Sequence, residues 1–110
     1  MSFTRGRLHD PDTAPGTGEE IHRLAELGHV VVDQILSGRL DGPVDYLQDV
    51  DEWVVVLDGG ATLDVDEERL SLEPGDWVLI PARTPHHLVE TAPGTNWLTV
   101  TATSRTAPSS

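Results

Sequence analysis

The chain contains no cysteine and no lysine. Without cysteine there is no disulfide framework, no thiolate metal site and no thiol nucleophile. Any metal would have to be held by histidine, carboxylate, amide or phenol groups. Without lysine, a Schiff-base mechanism is excluded. Positive charge is scarce as well: the seven cations are all Arg, no two adjacent, against 19 Asp plus Glu, giving a formal net charge of -12. Binding to nucleic acid or to an anionic membrane surface needs a basic face, so both are disfavoured as partners. No apolar run approaches the ~20 residues of a membrane-spanning helix. The first ten residues lack the apolar core of a secretory signal, and the sequence therefore predicts a cytoplasmic protein.

What is present fits one globular domain. The length of 110 residues suits a single core, and 37% of residues are hydrophobic before the ten glycines are counted. Residues 1–18 carry proline breaks at Pro11 and Pro15 and read as an irregular arm. The domain proper is expected over residues 19–103, and residues 104–110 read as a flexible polar tail. Residues 19–27 are ambiguous: Ile21, Leu24 and Ala25 have helical spacing, but Gly28 stops it, so a short helix and a strand compete.

From His29 onward the pattern is β. Val30 to Leu36 runs to a turn at Ser37-Gly38, and Trp53 to Leu57 runs into Asp58-Gly59-Gly60, a hairpin signal. Leu63 and Val65 alternate with Asp64 and Asp66 before a turn at Glu67-Glu68, as in a half-buried strand with its acids in water. Glu73-Pro74-Gly75-Asp76 is a turn, Trp77 to Ile80 a strand, and two further strands follow at residues 86–91 and 97–103. About eight short strands at this spacing predict an all-β fold, a small antiparallel β-barrel or jelly roll.

Certain polar residues stand in a pattern. Tyr46, Gln48 and Glu52 share parity, so on an extended segment their side chains share a face. Glu52 is followed by six residues and then Gly59; Gly75 is followed by five residues and Pro81, with His86 five positions further on. This spacing resembles the two motifs of the cupin family. The first reads His-x-His, three or four residues, Glu, six residues, Gly; Glu52 and Gly59 match it, and Tyr46 and Gln48 occupy the histidine positions. The second reads Gly, five residues, Pro-x-Gly, two residues, His, three residues, Asn; Gly75, Pro81 and His86 match, with Arg83 replacing the Gly and Glu90 the Asn.

The resemblance implies a small barrel with a site inside it for a small-molecule ligand. In a full cupin site the two His, the Glu and the third His bind one divalent metal. Here the corresponding metal set is Gln48, Glu52 and His86, suited to Fe, Mn, Ni or Zn, and no nucleotide cofactor is implied. Tyr46, Glu52 and His86 are the candidate catalytic residues, and Tyr46 and Arg83 the candidate substrate-binding residues. Three functions remain open: a mononuclear-metal enzyme of oxygenase, lyase or isomerase type, a metal-free acid–base enzyme, and a non-catalytic ligand-binding or regulatory module. Strand alternation puts His87 and Trp53 outside the barrel, where Trp53 would serve a homodimer contact. His9, His22 and His29 match no motif.

Overall fold

The computed structural model describes residues 2–102. Nine strands follow a single 3-10 turn at Pro11–Thr13 in the arm: β1 (Glu19–Leu27), β2 (Val30–Ser37), β3 (Val44–Tyr46), β4 (Glu52–Asp58), β5 (Ala61–Val65), β6 (Glu68–Leu72), β7 (Trp77–Ile80), β8 (His86–Thr91) and β9 (Thr95–Ala102). They form two antiparallel sheets, one ordered β1-β2-β9-β4-β7 and the other β3-β8-β5-β6. The expected all-β jelly roll is the observed fold. The tail expected over residues 104–110, and the last residue of the expected domain, lie outside the described residues.

The ambiguous segment is a strand. Glu19, Leu24, Ala25 and Glu26 favour helix, but β1 pairs with β2 from Glu19↔Ser37 to Leu27↔Val30, and that ladder decides the conformation. The tip of the hairpin is Gly28-His29, with Gly28 at φ 58°. The β5–β6 turn falls at Asp66-Glu67, one residue earlier than the acidic pattern suggests, and Glu68 already pairs with Val65. Gly59, the glycine closing the first motif, has φ 86°, and a Cβ there would stand 2.8 Å from the Thr95 Cα. Both its conformation and its neighbour demand glycine.

Side chains of the two inner faces meet in a core of Val54, Val56, Ala61, Leu63, Leu72, Ile80, Leu88 and Trp97. Burying a side chain the size of Leu88 contributes about 1.5–3 kcal/mol. Alternation along the strands sends the other faces outward, interrupted by register shifts at Arg23/Ala25, at Val56/Asp58 and on β8. On β8 the register shifts opposite Thr62/Leu63, so parity breaks between Leu88 and Glu90. His86 and Leu88 are buried, but Glu90, which simple alternation puts on the same face, is exposed. The arm crosses the outside of the larger sheet, where the fully buried Gln34 amide accepts from the His9 N–H (2.8 Å) and donates to the His9 carbonyl (3.0 Å).

Candidate functional site

Between the sheets, beside the core, lies a cavity of about 520 Å³, within the size range of small-molecule sites. Odd-numbered residues of β1, β2 and β9 and even-numbered residues of β4 face it, as the two-residue period of a strand requires. Its wall is mostly apolar, including Ile21, Val31, Ile35, Val54, Leu63, Ile80 and Leu88.

Tyr46, Gln48, Glu52 and His86 all line this cavity. Glu52 begins β4, an interior strand, and sits between Ile80 of β7 and Thr101 of β9. Gln48 is in the connection from β3 to β4. One backbone bond and one bond to a side chain hold that connection against the loop before β8: the Arg83 N–H donates to the Gln48 carbonyl (2.6 Å), and the Ala82 N–H donates to the Asp51 carboxylate (2.8 Å). Tyr46 ends β3 and pairs with His86 across the sheet; their rings stack with centroids 5.4 Å apart and planes 16° from parallel.

The Nδ1 of His86 lies 3.0 Å from the Thr84 carbonyl, which can only accept, so Nδ1 carries a hydrogen. In the neutral ring, Nε2 is then a lone pair, 3.8 Å from Oε1 of Glu52. Burial raises the Glu52 carboxyl above its ordinary range, and this outweighs the opposing effects of His86 and of hydrogen bonds from Thr101 and Gln48. The Tyr46 phenol is also held well above its ordinary value, by burial first and then by the Glu19 carboxylate that accepts its hydroxyl at 3.0 Å. Tyr46 does not pair with Gln48: its phenol goes to Glu19.

Arg83 stands apart from this group. Its side chain is exposed and is not among the residues lining the cavity. Its backbone takes φ 61°, the left-handed conformation, at the position where the family motif has glycine. Of the outward residues, His87 contacts Asp64 (2.9 Å), and Trp53 lies against Trp77 with ring centroids 6.1 Å apart.

Three charged residues of the cavity have no place in the motifs: Glu19, Arg23 and Asp33. Arg23 and Asp33 are cross-strand partners joined at 2.6 Å. Their signal was the odd-numbered alternation Glu19, Ile21, Arg23, which the helical spacing of Ile21, Leu24 and Ala25 obscures.

Among the described residues no three His, Asp or Glu side chains converge on one point. The Tyr46 phenol keeps its proton and donates it in a hydrogen bond to Glu19, so it is not available as a phenolate ligand. One imidazole, one carboxylate and the neutral amide oxygen of Gln48 remain, a weaker set than the imidazole-rich one of the family motif. This donor set suits a tightly held resident metal poorly. What it offers is an unprotonated nitrogen facing a carboxyl of raised proton affinity within an apolar wall, an arrangement able to accept and return a proton.

Comparison with known proteins agrees with this architecture. A family model described as "Cupin domain" matches residues 31–100. A Ralstonia eutropha protein given the provisional name mannose-6-phosphate isomerase is similar at 27% identity, with 91% of this chain and 100% of that one covered and a TM-score of 0.74. An RmlC-like cupin from Shewanella frigidimarina is 18% identical over 84% of this chain and 81% of its own (TM-score 0.67). The polyketide cyclase RemF of Streptomyces resistomycificus is 20% identical over 94% and 82% (TM-score 0.65). The last two likenesses are of fold alone. No curated protein matches the chain. Among the described residues no helix is long and apolar enough to cross a membrane.

Proposed function

Because the chain belongs to the cupin family, we propose that it is a small-molecule enzyme in which Glu52 and His86 form a metal-independent acid–base pair inside the barrel. The observation that carries this reading is the approach of His86 Nε2 to Glu52 Oε1, at 3.8 Å, within the apolar cavity. The Thr84 carbonyl fixes the histidine tautomer, and the Tyr46 ring stacked on the imidazole fixes its plane. Glu52, a carboxylate of raised proton affinity, would take a proton from a bound organic molecule and pass it to the Nε2 lone pair of His86, which would return it at another atom, as isomerisation or dehydration requires. At 3.8 Å the two groups are too close to hold an atom between them, so a reacting molecule would meet them side by side. The provisional isomerase name of the Ralstonia eutropha neighbour supports this class of chemistry without choosing a substrate.

The test is a substrate screen in the presence of strong chelator, comparing the natural chain with Glu52→Gln and His86→Gln. Turnover that survives chelation and falls at least about a hundredfold in either variant is expected. Turnover abolished by chelator and restored by Fe, Mn, Ni or Zn would overturn the metal-free reading. Binding without turnover would return the chain to the non-catalytic, ligand-binding class. The outward Trp53–Trp77 pair, with exposed Leu79 on the same strand as Trp77, supports a homodimer through the outer face. Light scattering that finds a strict monomer at micromolar concentration would refute that assembly.

A further inference from the structure

The polar groups of the cavity differ in what they have left to offer a ligand. The Tyr46 hydroxyl donates to Oε1 of Glu19 (3.0 Å), and the Ser37 hydroxyl donates to Oε2 (2.7 Å). Ser37 in turn accepts the indole N–H of Trp97 (3.0 Å). Three donors are thus committed within one network that ends on a carboxylate. At the other group, the Thr101 hydroxyl reaches Glu52 (3.4 Å), and His86 Nδ1 is committed to Thr84. What remains is chiefly acceptor capacity, the second lone pairs on Glu19 and Glu52 and the Nε2 of His86, beside two neutral groups that can also donate, the Gln48 amide and the Thr99 hydroxyl.

Charge points the same way. The charged residues lining the cavity are Glu19, Asp33, Glu52 and one cation, Arg23. Arg23 is already held by Asp33 at 2.6 Å, with Glu26 at 3.8 Å on its other side. An anionic ligand would have to break that pair and settle beside two carboxylates in a space poorer in water than bulk solvent. A ligand bringing both positive charge and N–H donors meets neither cost, and the aliphatic wall suits an apolar skeleton behind them.

We infer that the ligand of this cavity is a protonated amine on an apolar or aromatic skeleton, its ammonium received by Glu19 and Glu52. This assignment rests on the reading of the cavity as the ligand site and adds the class of molecule that enters it.

Three isosteric probes test it on the full chain at neutral pH: benzylamine, benzyl alcohol and benzoate. Binding is read from the Trp97 indole N–H and the His86 ring signals by NMR, with Trp97→Phe supplying the assignment. Benzylamine is expected to bind at least about tenfold more tightly than benzoate, with the alcohol between them. Added salt should weaken the amine more than the alcohol. Glu52→Gln and Glu19→Gln should each weaken benzylamine about threefold or more and leave the alcohol nearly unchanged. Should Glu19→Gln fail to fold by circular dichroism, Glu52→Gln alone decides. Equal binding of all three probes, or preference for benzoate, overturns the amine assignment and leaves the cavity as a ligand site. If no probe moves the Trp97 or His86 signals, the ligand-site reading itself fails, and the assignment with it.

Discussion

Replacing Arg83 tests how the second motif keeps its backbone after losing its glycine. Arg83 holds φ 61°, and its N–H donates to the Gln48 carbonyl, tying the cavity loop to the strand that carries His86. A non-glycine residue pays roughly 1–2 kcal/mol for the left-handed conformation. Glycine removes that cost but regains freedom in the unfolded chain, which offsets about 0.4–1 kcal/mol. The exposed guanidinium does not line the cavity, so its loss subtracts little. Arg83→Gly should therefore stabilise the fold by about 0.5–1 kcal/mol, raising Tm by about 2–6 °C for a domain of this size. Arg83→Val places a β-branched residue in the same conformation and should lose about 1 kcal/mol or more. Urea and thermal unfolding followed by circular dichroism measure both variants. A glycine variant less stable than the natural chain by more than about 1 kcal/mol would refute the reasoning, because the side chain would then be making a contact that outweighs the strain.

Two further outcomes follow from the buried acids. Tyr46 is the only tyrosine, so the tyrosinate absorbance band reports it alone. Its rise should come well above the ordinary phenol range, and in Glu19→Gln it should move down while staying above that range, because burial is the larger cause. A normal titration in the natural chain would contradict the Tyr46–Glu19 geometry. Glu52 binds its proton more tightly folded than unfolded, so its ionisation costs stability as pH rises from the unfolded carboxyl value through the raised folded one. Glu52→Gln should accordingly be more stable than the natural chain above that window and lose its advantage below it. Urea midpoints that differ equally at all pH values would argue against the shift.

Much of the larger sheet and of the site was legible because strand alternation and motif spacing are local. The run from Trp53 to Leu57 and the turn at Asp58-Gly59-Gly60 located β4 and its hairpin, and Glu52, Tyr46, Gln48 and His86 do line one cavity. What was missed depends on pairing between strands distant from the motifs. Residues 19–27 contain helix formers, and only the ladder with β2 makes them a strand and brings Glu19 and Arg23 to the cavity. The displacement of Glu90 from the face of His86 comes from a register shift, which composition does not encode. Arg83 precedes His86 in the chain, but its exposed side chain is not among the residues lining the cavity, and the cation that does line it is Arg23, held by a cross-strand pair.

The protonation of His86 under a metal challenge tests the central claim most directly. Long-range proton–nitrogen NMR on the chain, before and after equimolar zinc, reads Nδ1 and Nε2 separately. Expected are a protonated Nδ1 and a lone pair at Nε2 in the neutral ring, both unmoved by zinc, with metal content after purification well below one per chain. A zinc-dependent shift at Nε2 that disappears in Glu52→Gln, together with one bound metal per chain, would contradict it.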